Sequence, residues 1–284
     1  MKLREWPLVL FTVLGQAAVG TAMFLILPLY IFPNWTYIRS MDGLRLTAPL
    51  AIIVLLGAAV LFSLLHLGNP GRAYRALAKS GSSWLSREIL AELIFGAAAA
   101  ALAVLAWKMP RSAAGLTLSV LVVAEAGAFV YSMARIYTIA AVPLWFSPAT
   151  PVAFVSTSLV LGSLVGAVLS GMAGAPLEPD QARFHAGLTT AALIALGAAF
   201  MIAVLYAPRF GIWAKRESFP VVAPARGLAV VHAFRLILLA AALGLAIPAV
   251  STPSSDPWIA ASLAVAFVSE VLGRFVFYSL PAGL

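Results

Sequence analysis

Residues 89–107 read ILAELIFGAAAAALAVLAW, a run with one charged group, Glu92, and no proline. At 1.5 Å per residue such a run makes a helix about 28 Å long, close to the roughly 30 Å hydrocarbon thickness of a bilayer. The segment reads as a transmembrane helix. Windows of the same character lie at 7–32, 46–65, 113–139, 150–172, 185–206, 228–248 and 257–278. Glycine, proline and charge punctuate the gaps between them, as in IFPNW, HLGNPGR, KMPRS, AVPLWFSPATP, GAPLEPDQ and STPSSDP. The expectation is an all-α polytopic membrane protein with eight transmembrane helices arranged as two four-helix bundles, forming one domain over 1–284.

Composition points the same way. Of 284 residues, 63% are hydrophobic and 10% charged, with a mean hydropathy of +1.02. A water-exposed surface needs more charge than that, so a soluble globule is excluded. The chain has no cysteine, which excludes an iron–sulfur cluster, a disulfide or a thiolate metal site within it. Its three histidines are too few for several haems. The net charge of +8 reads as membrane topology rather than nucleic-acid binding, because basic residues collect in cytoplasmic loops and at anionic headgroups. The apolar run that follows the basic start MKLREW continues to about Phe32 without a small-residue cleavage site, and reads as a retained first span.

An even number of spans puts both ends of the chain on one side, here named face A. Lys2, Arg4, Arg72, Arg75, Lys79, Arg87, Arg135, Arg209, Lys215, Arg216 and Arg226 fall on face A, whereas Arg39, Arg45, Lys108, Arg111 and Arg183 fall on face B. By the positive-inside rule face A, with both termini, is expected in the cytoplasm.

Ionisable groups at helical depth are costly in lipid, so their positions carry information. His66 ends the second span, Glu88 and Glu92 begin the third, and Arg135 and Tyr137 end the fourth. His232 and Arg235 begin the seventh, while Glu270, Arg274 and Tyr278 run along the end of the eighth. Each has an ordinary explanation taken alone: arginines snorkel, a Glu pair suits a helix N-terminus, and Trp84 and Trp145 suit an interfacial belt. Those explanations do not account for the one-sidedness. All these groups fall in the A half, which leaves only His185 near face B and Glu125 near mid-depth. A single polar pocket at the A end of the bundle is expected.

The densest punctuation on face A is HLGNPGRAYRALAKSGSSWLSREIL, residues 66–90. Pro70 stops the second helix and two glycines permit a tight turn beside His66, while Ser86 with Glu88 reads as a cap region for the third. An imidazole, a carboxylate and two guanidiniums at a rigid turn suit a two-electron, two-proton carrier, in which a titratable group exchanges a proton as a quinol hydroxyl becomes a carbonyl.

HLGNPGRAYRAL with LSREI, then ARIYTIAAVPLWFSPATP, SEVLGRFVFY and the opening REWPLVLFTVLGQ resemble the membrane-anchor subunit of the dimethyl sulfoxide reductase family, in the same order over nearly the whole chain. The resemblance implies an eight-helix anchor, not itself catalytic for the terminal substrate, that exchanges electrons between membrane quinone (menaquinone or ubiquinone) and an iron–sulfur subunit with ferredoxin-like clusters. That subunit in turn serves a molybdopterin catalytic subunit, at the bacterial inner membrane. It implies His66 and Glu88 as the proton-exchanging residues. His66, Arg72, Glu88, Arg135, Tyr137, Arg235, Glu270, Arg274 and Tyr278 would then bind quinone, and Arg72, Arg75 and Lys79 would dock the partner. His232 has no counterpart in the family pattern, and His66 with His232 is the pair that would ligate a haem b if one were present.

The arginine count favours a cytoplasm-facing, sulfite-oxidising relative that passes electrons into quinone. The alternatives are a quinol-oxidising anchor of a terminal reductase, a b-haem electron-transfer subunit and a secondary transporter. A transporter would place its charges at the midplane on broken helices, where only Glu125 lies.

Overall fold

A computed structural model describes residues 6–31, 39–66, 77, 81–110, 112–138, 145–172, 177–216, 222–251 and 257–279. Its helices are α1 (Trp6–Ile31), α2 (Asp42–His66), α3 (Trp84–Lys108), α4 (Ala113–Tyr137), α5 (Ala149–Gly171), α6 (Pro179–Arg216), α7 (Val222–Ser251) and α8 (Pro257–Ser279). All eight contain a stretch long and apolar enough to cross a membrane. Helices α6 and α7 run well past the expected windows of 185–206 and 228–248, because hydropathy marks where lipid ends and not where backbone hydrogen bonding ends. Serines cap two of the N-termini: Ser83 Oγ accepts from the Ser86 amide, and Ser112 Oγ from the Gly115 amide. The cap of α3 is therefore Ser83, and Ser86 is a buried residue of its first turn.

Sequential helices pack as neighbours, and the fourth helix of each half returns to the first: α4 closes on α1, and α8 on α5. These are the two expected four-helix groups, and they meet chiefly where α1 crosses α5. Two glycines set that crossing. A Cβ on Gly20 would overlap the Ser158 carbonyl and press on the Gly162 Cα, and one on Gly162 would overlap the Gly20 backbone. Without a hydrophobic drive between helices in lipid, such close backbone approach is what holds them together. Helix α1 is consequently the most buried span.

The second half of α1, Ala22–Ile31, is π-helical and contains Pro28. The helix ends at Ile31, so the carbonyls of its last turn, Leu29 among them, have no amide partner within the helix, and a buried side chain supplies one. Arg45 Nε donates to the Leu29 carbonyl at 3.3 Å, its Nη1 pairs with Asp42 at 2.6 Å, and the Tyr30 hydroxyl donates to the Arg45 carbonyl at 2.9 Å. Arg45 is thus a fully buried structural group and not a loop charge. Also near face B, Ser170 Oγ and His185 Nδ1 lie 2.9 Å apart, joining α5 to α6.

Candidate functional site

Six helices bring polar side chains together in the A half, the deeper ones roughly 12–15 Å along their helices from the A end. The centre is Glu270 on α8, 3% exposed, which accepts from Thr157 Oγ1 of α5 at 2.6 Å and from Arg235 Nη2 of α7 at 3.3 Å. Gly273 makes room for this pair: a Cβ there would meet Arg235 Nε at 2.5 Å. The backbone around it is bolted by Ser269 and Ser262, whose hydroxyls donate to the carbonyls of Arg235 and Ala242.

One turn along α8, Arg274 is 4% exposed and donates through Nη2 to Gln16 Oε1 of α1 at 2.9 Å. Gln16 is oriented for this because its amide nitrogen faces the Met133 sulfur at 3.4 Å. The Arg274 guanidinium lies 3.7 Å from the centre of the Phe154 ring, a cation–π contact that partly offsets the loss of water. Among the described residues no carboxylate forms an ion pair with it, since Arg235 takes Glu270.

Beyond Arg274 stand two phenols. Tyr137 of α4 and Tyr278 of α8 have ring centroids 5.1 Å apart, and the Glu88 carboxyl of α3 is near enough to interact electrostatically with both. The Tyr278 hydroxyl sits beside Tyr137 and Thr12 yet makes no hydrogen bond of good geometry among the described residues. Glu88 and Glu92, 3% and 8% exposed, are one turn apart on α3, and Glu92 Oε1 also lacks a partner among the described residues. The Nε atoms of Arg235 and Arg274 are in the same condition. Such a concentration of unused buried polar atoms is unusual in a membrane interior, where each costs free energy. An aromatic plug covers this end: Trp145 stacks on Phe277 at 5.5 Å and donates its indole N–H to the Phe277 carbonyl, with Tyr137 edge-on to both rings.

The structure therefore brings together Glu88, Tyr137, Arg235, Glu270, Arg274 and Tyr278 of the expected site. It does not bring in Arg135, which is exposed and lies over the Trp84 ring, its Cζ 5.0 Å from the ring centre. The reason is helical geometry: residues two apart point about 200° from each other, so an RxY pair cannot share a face with Tyr137. His66 closes α2 at the A end, one turn beyond Phe62, which packs on Trp6; its side chain lies outside the described residues, as do Arg72, Arg75 and Lys79. His232 is buried, and its Nε2 is 3.1 Å from the Ala203 carbonyl, which can only accept. That bond ties α7 to α6 and would have to break for Nε2 to ligate a haem. No group of three or more His, Cys, Asp or Glu suited to a metal occurs among the described residues. Gln16 and Thr157 were not among the expected residues. An amide within an apolar span was the available signal for Gln16, whereas a threonine in a helix can always turn its one proton to its own backbone, and the Thr157 Oγ1 lies 3.1 Å from the Ala153 carbonyl as an alternative to Glu270.

The fold and this cluster define a polytopic helical membrane protein with a mixed acid–base interior at one end. A family model described as DMSO reductase anchor subunit (DmsC) matches residues 1–280, and the protein belongs to that family. It is 32% identical over 288 residues to the C subunit of the anaerobic dimethyl sulfoxide reductase of Escherichia coli (strain K12), spanning 97% of this protein and 94% of that one. The anaerobic dimethyl sulfoxide reductase subunit YnfH of the same organism is 30% identical over 283 residues, 97% of this protein and 94% of the relative. The corresponding C subunit of Haemophilus influenzae is 30% identical over 285 residues, 98% of this protein and 95% of the relative.

Proposed function

We propose that this protein is the quinone-handling anchor of a bacterial inner-membrane molybdopterin oxidoreductase complex, exchanging electrons between the quinone pool and an iron–sulfur subunit docked on face A. Family membership supports the anchor role. The observation that carries the quinone reading is the group of buried polar residues Glu88, Glu92, Arg235, Glu270, Arg274 and Tyr278, four of whose polar atoms make no hydrogen bond among the described residues.

Oxidation of a quinol releases two protons and two electrons. In this reading His66 takes the proton of one hydroxyl and passes it to Glu88, and Glu92, one turn deeper on the same helix face, takes the proton of the other hydroxyl. Arg274 and Tyr278 supply hydrogen bonds to the other quinone oxygen. Gln16 and Phe154 hold Arg274 in place, and Arg235 with Thr157 holds Glu270. Arg72, Arg75 and Lys79 provide a basic docking surface. The electrons pass to clusters in the partner, because this protein has no cysteine to hold one.

The test is made on the assembled complex. His66→Leu or Glu88→Gln should lower quinol-dependent turnover on the order of 100-fold while dye-linked activity of the soluble subunits persists. Quinol turnover unchanged in both variants would remove the site.

A second reading concerns direction. The named relatives are subunits of anaerobic dimethyl sulfoxide reductases, which favours quinol oxidation. The basic excess on face A favours instead a cytoplasm-facing complex that oxidises a substrate such as sulfite and reduces quinone. With Arg45 buried and paired, the loop charge on face B is smaller still. The absence of cysteine makes the test clean: single cysteines placed at Ser82 and at Glu178 report, by labelling with an impermeant maleimide in intact cells, which face is outside.

A further inference from the structure

The outer rim of α3 and α4 on face A carries a cationic feature that the cluster does not use. Trp84 opens α3, and both Arg87 and Arg135 place a guanidinium on its ring, at 4.4 Å and 5.0 Å from the centroid. Tyr131 packs edge-on against the same indole at 5.6 Å. Arg87 also donates to the Gly81 carbonyl at 2.7 Å, which fixes the turn leading into α3. Two like charges on one ring repel each other, and among the described residues no carboxylate pairs with Arg135. An anion beside Arg135 would supply the counter-charge it lacks among the described residues, and a guanidinium matches the oxygens of a phosphate.

The position of the feature says which anion. Arg135 ends the outward row of α4, in which Leu116, Val120, Leu121 and Tyr131 are exposed large side chains, Tyr131 by 55%. This surface continues down the apolar span, so it meets acyl chains and not water. The cationic end and apolar flank together have the shape of an amphiphile at the headgroup level of the face A leaflet.

We propose that Trp84, Arg87 and Arg135 bind the phosphate of an anionic phospholipid, whose acyl chains lie along Tyr131 and the outward row of α4. The site is separate from the buried cluster, and it stands or falls independently of quinone chemistry.

The experiment uses the full-length protein in its complex, purified in mild detergent from membranes containing phosphatidylethanolamine, phosphatidylglycerol and cardiolipin, and then washed. Retained lipid is measured by native mass spectrometry and by extraction. The intact protein should retain anionic lipid near one per protomer, enriched at least tenfold over phosphatidylethanolamine. The variants R135Q and R87Q/R135Q should lose most of that enrichment; R135Q changes an exposed side chain, and its melting temperature serves as the folding control. Equal retention of anionic and zwitterionic lipid by the intact protein, or undiminished enrichment in both variants, would overturn the proposal. Two further outcomes would also overturn it: displacement of the lipid by millimolar inorganic phosphate, which would make this a free-phosphate site, and loss of a partner subunit from R135Q with lipid retention intact, which would make it a protein-docking face.

Discussion

Gln16 and Arg274, 258 positions apart in sequence, meet at 2.9 Å inside the A half of the bundle. A buried cation is held there by a neutral amide and the face of Phe154. Gln16→Leu removes the acceptor and leaves a charged donor unsatisfied. The expected cost is about 1.5–3 kcal/mol, read as a lowered melting temperature in detergent. Gln16→Glu restores an acceptor and supplies the missing negative charge, so it should be tolerated better than Leu.

Glu270 is the shared acceptor of Arg235 and Thr157. Glu270→Ala strands Arg235 without its partner, and removing one member of a buried ion pair costs roughly 3–5 kcal/mol. The Arg235 side chain is 19% exposed, which puts the expected loss at the lower end. In a double-mutant cycle the Arg235→Ala, Glu270→Ala protein should be destabilised by less than the sum of the single changes. Strict additivity in chemical or thermal unfolding would show that the pair does not interact.

Gly20 and Gly162 place the backbones of α1 and α5 in direct contact. Alanine at either position has no space, and the obstacle is backbone that cannot move aside. Gly20→Ala and Gly162→Ala should abolish or sharply reduce the yield of monodisperse protein in fluorescence-detected size-exclusion chromatography. Gly57→Ala is the control: nothing lies within 4 Å of a Cβ there, and alanine is the better helix former by about 0.5–1 kcal/mol. Yield should be unchanged or slightly higher.

Glu92 and Arg274 have different tasks in the proposed mechanism, and steady-state kinetics with quinol separates them. Glu92→Gln keeps the shape but cannot carry a proton. It should lower kcat about tenfold and leave KM close to its original value. Arg274→Lys loses the planar contact with Phe154 and the fixed fork, so its effect should fall mainly on KM. The opposite pattern would exchange their roles.

Much of this was legible from the residues in order. Spans are written locally, because a bilayer demands a minimum apolar length and punishes charge within it; all eight windows correspond to helices, and the boundaries differ most where a helix runs past its apolar window, as at the starts of α2 and α3 and at both ends of α6 and α7. The A-side bias of Glu88, Arg235, Glu270 and Arg274 was legible for the same reason, and helical periodicity alone put Glu88 and Glu92 on one face. The same periodicity separates Arg135 from Tyr137, although reading the two as a single RxY motif concealed it. The tertiary structure alone decided which helices touch. Between apolar helices in lipid the selection is made by shape, as at Gly20 and Gly162, and by single hydrogen bonds between distant residues, as for Gln16 with Arg274 and Thr157 with Glu270. A glycine, an amide or a hydroxyl looks the same in sequence whether it serves its own helix or another. The burial of Arg45 is of this kind, since it depends on the Leu29 carbonyl left open where α1 ends and on the fold bringing α2 alongside it.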